Sequence, residues 1–364
     1  MSAPAPRAGA DAQPIKVMIV DDSAVVRGMV SRWMEETDDI RSAAFAVDGA
    51  HALKKLVEGP IDVCVLDIEM PVMSGLEALP KLLALRPGLR VIMASTLSER
   101  GAEVTLRALQ LGAADYIPKP SASGLGGAEA YRRELFEKIR QLARRPPPAA
   151  VAAPTRPALV RPPTSNTRAA RPEALVIAAS TGGPPALRQL LAGLGGAWRG
   201  PILIAQHMPA EFTRTLARML DQVTPFEAKE AVAGEPVKPG VIYVAPGNFH
   251  LTVRRTATGQ VITALDQEEP INWCRPSADP LFRSAAEVWG GAALGVVLTG
   301  MGHDGRDGAR VLAGKGGRII AQDEATSVVW GMPGAVVQAG LAEQVLPLAE
   351  IAPFLAGLMG GASR

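Results

Sequence analysis

Short aliphatic runs alternate with amphipathic stretches along nearly the whole chain, and no other feature narrows the possible folds as much. KVMIV is followed by AVVRGMVSRWMEE, RSAAFA by GAHALKKLV, IDVCVL by GLEALPKLLAL, RVIMAS by GAEVTLRALQL, and DYIP by AEAYRRELFEKIRQL. Strands that alternate with helices need crossover connections, and these are right-handed, so the pattern predicts a parallel sheet covered by helices on both faces. These five strand–helix pairs make one doubly wound, flavodoxin-like α/β domain.

The alternation breaks once. Residues 143–172 hold eight prolines and no aromatic residue, a composition that cannot form a packed core and predicts an extended, partly stiff spacer. Beyond it the pattern returns as ALVIAAS then PPALRQLLAGL, PILIAQH then AEFTRTLARML, VIYVAP with a hairpin through LTVRR and VITAL, and GVVLTGMG then DGARVLAG. A second doubly wound parallel-sheet α/β domain is expected there. The chain thus divides into a flexible N-terminus over 1–14, a first domain over 15–143, a linker over 144–172 and a second domain over 173–358. The two halves share a layout but not their motifs, so they are not a repeat.

Composition agrees with two folded domains. A chain of 364 residues exceeds one ordinary core, and 48% apolar with 20% charged residues is globular. The net charge of +2 hides an asymmetry: the spacer carries six arginines and no acidic residue, and removing them leaves the remainder at −4. Mildly acidic domains do not suggest nucleic acid as a partner. No segment reaches the roughly 18 apolar residues that span a bilayer, and the first residues lack a secretory apolar run, so a cytoplasmic chain that is not membrane-inserted is expected. Only Cys64 and Cys274 are present. Cys64 reads as a buried, reduced thiol, and neither cysteine is given a role.

In an open parallel sheet the loops at the carboxyl ends of the strands meet in one crevice. The first domain's strand ends carry Asp21, Asp22, Asp67, Ser95 and Lys119. Carboxylates so gathered repel one another, and a hard divalent cation such as Mg2+ relieves the repulsion. One aspartate can then accept a phosphoryl group while a lysine neutralises the charge on it. A single aspartate at a strand end would more often be a helix cap, but five matched positions outweigh that reading. MIVDDS, VLDIEMPVMSG, MAS and YIPKP resemble the response-regulator receiver family over residues 15 to about 143. The resemblance implies that Asp67 is the phosphoacceptor, that Asp21, Asp22 and Asp67 hold Mg2+ with the backbone carbonyl of Glu69, and that Lys119 contacts the phosphoryl group. It also implies Ser95 as the switch hydroxyl, with Thr96 beside it as the alternative.

In the second domain three apolar runs end in a hydroxyl, an imidazole and a carboxylate: LVIAAS at Ser180, ILIAQH at His207 and GVVLTGMGHD near Asp304. These are a nucleophile, its base and the group that orients the base. Glycines and prolines after Ser180 set it near a helix N-terminus, where developing negative charge is favoured. A lone serine there would more often be a cap. Of four histidines, His51 reads as surface, His303 adjoins Asp304 in an open loop, and His250 could line a pocket; His207 is the preferred base. The glycines of TGMGHDG free backbone amides to face an oxyanion, with Met301 N–H a candidate donor.

ASTGGP, AQHMP, YVAPGNFH, INWCRPSADPLF and LTGMGHDG together resemble the catalytic domain of the chemotaxis protein-glutamate methylesterase (CheB) family over about 173–358. The resemblance implies hydrolysis of glutamate methyl esters on methyl-accepting chemotaxis receptors, releasing methanol, and deamidation of certain receptor glutamines, under control of a chemotaxis histidine kinase as phosphodonor. Ser180, His207 and Asp304 take the catalytic places, with Thr181, Met301 and Gly302 beside them. No cofactor is expected in this domain. Two rival readings stand against this one. A transcription regulator would need a basic recognition helix, which an acidic α/β half does not offer. A catalytically silent, phosphorylation-controlled binding module would keep the fold and lose turnover when tested for methanol release.

Overall fold

The computed structural model describes residues 13–119, 125–143 and 171–360. Most of the expected N-terminal segment and linker lies outside the described residues. Two compact units are formed.

The N-terminal sheet is built on β1 (Ile15–Val20), β2 (Ile40–Ala46), β3 (Val63–Asp67), β4 (Arg90–Ser95) and β5 (Asp115–Pro118), joined in the chain through α1 (Ala24–Glu35), α2 (Gly49–Glu58), α3 (Gly75–Leu85) and α4 (Glu99–Gln110) and followed by α5 (Leu125–Ala143). The five strands pair in parallel in the order β2-β1-β3-β4-β5. β3 is buried along its whole length, as a central strand with both faces covered must be. Helix starts are written in the sequence: Ser23 accepts Val26 N–H, Asp48 accepts His51 N–H, and Ser74 and Glu77 form a reciprocal capping box. The order reverses between β1 and β3, so the crevice beyond their carboxyl ends is where a doubly wound sheet places a ligand.

The second unit follows the same rule on a larger scale. Its elements are β6 (Ala174–Ala179), α6 (Gly183–Leu194), β7 (Ile202–Gln206), α7 (Ala210–Val223), β8 (Glu227–Glu230), β9 (Val241–Val244), β10 (His250–Arg255), β11 (Val261–Asp266), α8 (Ala278–Trp289), β12 (Ala293–Val297), α9 (Arg306–Gly314), β13 (Arg318–Gln322), α10 (Met332–Gln338), β14 (Gln344–Leu346) and α11 (Leu348–Gly360). Seven strands form one sheet in the order β14-β13-β12-β6-β7-β9-β8, every ladder parallel. β10 and β11 pair separately as the expected antiparallel hairpin.

β6, β7 and β12 are buried at every position. Val176, Ala178, Leu203 and Ala205 share one core with Leu281, Phe282 and Ala285 of α8 and with Ala309 and Leu312 of α9. The alternate residues Leu175, Ile177 and Ala179 are equally inaccessible, so both faces are covered. From β6 the chain builds outward through β7 to β9 and β8, then returns to the other side of β6 for β12, β13 and β14. That reversal puts the switch point at β6, between β12 and β7. The sequence reading did not anticipate β8, β13 or β14, of which β8 and β14 are the sheet's edges and β13 is an interior, mostly buried strand. β8 is the short, charged segment EAKE, a composition that blunts an edge and hides its pattern.

Candidate functional site

The three polar residues that end apolar runs in the second unit come from three neighbouring strands. Ser180 follows β6, His207 follows β7, and Asp304 lies in the loop after β12. The register between β6 and β7 pairs Ala179 with Gln206, and His207 N–H donates to Ala179 O at 3.1 Å, so Ser180 and His207 leave adjacent strand ends side by side. On the other flank Ser180 N–H donates to Thr299 O at 3.0 Å, continuing the β6–β12 ladder by one step. A methyl group on Gly300 would lie 2.9 Å from Ser180 Cβ and 2.3 Å from Met332 Sδ, so the loop passes Ser180 only because residue 300 has no side chain.

Asp304 is almost inaccessible, and its carboxylate is fully engaged. His207 Nε2 is 2.7 Å from Oδ2, which also accepts Ala278 N–H at 2.7 Å, while Ser277 Oγ donates to Oδ1 at 2.6 Å and Asn272 Nδ2 reaches Oδ1 at 3.4 Å. Ser277 is the N-cap of α8 and Ala278 its first residue, so the carboxylate sits at a helix N-terminus. Burial alone would raise its pKa, but hydrogen bonding and charge from His207, with the Ser277 and Ala278 donors, hold it down to about 2. For His207 burial alone would lower the pKa, and the Cys274 sulfur and Asp304 carboxylate outweigh it, leaving the imidazole above its ordinary value. Asp304 supplies the lasting part of that effect, since a thiol contributes charge only in its thiolate form.

The second ring nitrogen of His207 is also occupied: Cys274 Sγ lies 3.3 Å from Nδ1. Among the described residues Ser180 Oγ makes no hydrogen bond to either ring nitrogen. Ser180 is half-buried, and the two main chains are linked by Gln206, whose buried Nε2 donates to Ser180 O at 3.0 Å and His207 O at 3.4 Å. α6 begins just beyond, and Gly183 N–H donates to Ser180 O at 2.7 Å. Thr181 is buried, and its carbonyl accepts Thr299 Oγ1 at 2.9 Å. Met301 is half-buried and Gly302 exposed, and their N–H groups have no hydrogen-bond partner among the described residues.

His250, the runner-up base, has a different task. It is buried, its Nδ1 accepts Ser277 N–H at 3.1 Å, and its Nε2 lies 3.2 Å from Glu269 O. With both nitrogens on main-chain groups it pins β10 to the start of α8. His303 is exposed. Cys274, to which the sequence reading assigned no role, is the correction: its Sγ touches the imidazole. Ser277, Asn272 and Gln206 were also missed; a serine opening a helix was the available signal for Ser277 and a glutamine closing the run ILIA that for Gln206, and nothing local marks Asn272.

In the first unit the carboxylates of Asp21, Asp22 and Asp67 each offer an oxygen, all within 4.8 Å of one another. Asp21 and Asp67 are buried and Asp22 is exposed. Lys119 Nζ is 2.9 Å from Asp21 Oδ2 and 2.8 Å from Asp67 Oδ2. Burial pushes the Asp67 carboxyl up and the Lys119 ammonium only partly offsets it, whereas Lys119 is raised by the two aspartates against its own burial. One cation facing three carboxyl groups leaves excess negative charge on hard oxygen donors, a set that fits a divalent metal ion. Ser95 is buried at the end of β4, Thr96 beside it is exposed, and Glu69 is exposed in the β3–α3 loop. That loop returns so closely that a methyl group on Gly75 would lie 2.0 Å from Asp67 O. No helix among the described residues is long and apolar enough to cross a membrane.

The fold and these groupings define a class of protein: an acidic, lysine-bearing receiver unit joined in one chain to an α/β unit with serine, histidine and aspartate at adjoining strand ends. Residues 17–125 match the response regulator receiver domain and residues 175–355 match CheB methylesterase. The chain is 67% identical over 343 residues to the protein-glutamate methylesterase/protein-glutamine glutaminase 2 of Caulobacter vibrioides, covering 94% of this chain and 98% of that one. It is 49% identical to the corresponding protein of Maricaulis maris, with 96% of each covered. The crystal structure of the Thermotoga maritima CheB methylesterase catalytic domain superposes with a TM-score of 0.50 at 42% identity, covering 51% of this chain and 98% of that one. This chain belongs to the CheB methylesterase family and carries that family's receiver domain.

Proposed function

We propose that this protein is a protein-glutamate methylesterase and protein-glutamine glutaminase whose hydrolytic domain is controlled by phosphorylation of its receiver. The observation that carries the reading is the contiguity of β12, β6 and β7, which supports proton transfer from Ser180 to His207 with the imidazole held by a fully engaged Asp304.

In this reading Ser180 Oγ attacks the side-chain carbonyl carbon of an esterified glutamate while His207 takes the hydroxyl proton. Since Asp304 holds Nε2, Nδ1 is the nitrogen left for that proton, and it must exchange the Cys274 thiol for the Ser180 hydroxyl. Catalytic hydrogen bonds commonly close only with substrate bound. The tetrahedral oxyanion meets the N–H groups of Met301 and Gly302, beside Thr181. Collapse expels methanol, or ammonia from a glutamine, which takes the proton back from His207 and leaves an acyl-serine. Water then attacks, His207 again taking and returning the proton, and a free glutamate carboxyl is released.

Asp67 is the phosphoacceptor, and Asp21, Asp22, Asp67 and the Glu69 carbonyl are the oxygen donors for Mg2+. Bound there, a divalent cation neutralises charge on the incoming phosphoryl group. Lys119 offsets the remaining charge, and Ser95 is the switch hydroxyl, its burial at the end of β4 favouring it over Thr96. The substrates are methyl-accepting chemotaxis receptors, the phosphodonor is a chemotaxis histidine kinase, and the protein works in the cytoplasm. Methanol release from methylated receptor membranes, measured with and without a phosphodonor, tests the reading. It is expected to be present and stimulated; its absence in both conditions overturns it in favour of a silent binding module.

A further inference from the structure

We propose that Trp273 seats the polypeptide around the target side chain and so makes the enzyme prefer a protein-borne ester over a free one. The inference rests on the methylesterase reading and adds to it a determinant of substrate choice.

Trp273 is 88% exposed, the most exposed large apolar side chain among the described residues. It stands in a tight turn closed by Ile271 and Cys274, which exchange both main-chain hydrogen bonds at 3.2 and 2.9 Å. Its φ is +65°, and that of Asn272 is +52°. Bulky residues rarely adopt that conformation, and such strain gathers where a side chain must be presented in a set direction. The residues on either side of Trp273 both touch the proposed catalytic groups: Asn272 Nδ2 is 3.4 Å from Asp304 Oδ1, and Cys274 Sγ is 3.3 Å from His207 Nδ1. The indole is therefore carried by the segment that borders the base and its acid.

The substrate's geometry adds the other half of the argument. In an extended glutamyl side chain the ester carbonyl carbon is only about 4 Å from its own Cα. A polypeptide that brings this carbon to Ser180 must run its main chain over the rim of the site. A flat, mostly apolar ring suits that surface, because its face can cover the aliphatic side chains of the passing segment. A small ester reaches Ser180 without meeting the rim. The occupant is thus an amphipathic protein segment flanking the esterified glutamate.

The experiment compares kcat/KM on methylated receptor membranes with kcat/KM on the γ-methyl ester of N-acetylglutamate amide, for wild type, Trp273→Ala and Trp273→Phe. The ratio of membrane to small-ester activity is expected to fall at least about tenfold in Trp273→Ala, through KM on the membranes, and to be largely restored in Trp273→Phe. An unchanged ratio in Trp273→Ala, whether both activities hold or both fall, overturns the proposal. Ser180→Ala run alongside separates the two readings: full turnover of both esters in that variant removes the methylesterase assignment itself.

Discussion

Cys274 Sγ lies 3.3 Å from Nδ1 of His207, across the imidazole from the nitrogen that Asp304 holds. The base is therefore engaged on both sides, and the thiol occupies the nitrogen that Ser180 needs. Cys274 is half-buried whereas Cys64 is fully buried. Iodoacetamide is accordingly expected to modify Cys274 first and to abolish ester hydrolysis by placing bulk against the ring. Cys274→Ala is expected to retain activity within about tenfold of wild type and to resist the reagent. Inactivation of Cys274→Ala at the wild-type rate contradicts this.

The protonation of His207 sets the pH dependence. The ring must be neutral to act as base, and its surroundings hold its pKa above the ordinary 6.5. kcat/KM on a small ester is expected to rise with pH with a midpoint above 6.5. In Asp304→Asn the midpoint moves down and the plateau falls by up to ~10⁴-fold. A wild-type midpoint at or below 6.5 contradicts the account.

The same pair gives a stability window. A raised histidine contributes fully below 6.5, and the contribution is lost as pH climbs through its folded value. A carboxyl lowered from 3.8 to about 2 contributes above 3.8 and loses the contribution as pH falls toward 2. Thermal melts of wild type and Asp304→Asn are therefore expected to differ most between these limits, and a difference that grows steadily above pH 8 runs against the sign.

Gly300→Ala would add a methyl group 2.3 Å from Met332 Sδ and 2.9 Å from Ser180 Cβ, so either the loop or the serine must move. The expectation is a drop in kcat of at least about a hundredfold, since misplacement by an ångström costs that much. A kcat within about twofold of wild type contradicts this close approach.

Much of this arrangement was legible because apolar runs name their own ends. A buried strand is mostly aliphatic, so a polar residue at or just past its end, such as Asp21, Ser180 or His207, announces itself at the rim of the sheet. Edge strands lack that contrast, and β8 reads as a charged loop. What escaped were the partners brought in from far along the chain. Cys274 and His207 are 67 positions apart, and their meeting depends on how the turn before α8 folds back over β7. Ser277 looks like any helix cap, since its Oγ does accept Asp279 N–H at 3.2 Å; that the same oxygen donates to Asp304 is tertiary information.

On the receiver side, Asp67→Asn removes the proposed acceptor while leaving Lys119 bound to Asp21. A small acyl phosphate with Mg2+ is expected to stimulate ester hydrolysis in wild type but not in Asp67→Asn. Chelation of the metal should abolish the stimulation and spare the unstimulated rate. Equal stimulation of Asp67→Asn contradicts the assignment.

The most direct measurement is methanol released from methylated receptor membranes by wild type and by Ser180→Ala, with folding of both verified by thermal melting. The account expects release by wild type to exceed that by Ser180→Ala by at least ~10⁴-fold, with unchanged folding. Release by folded Ser180→Ala at a rate near that of wild type would show that this hydroxyl is not the nucleophile.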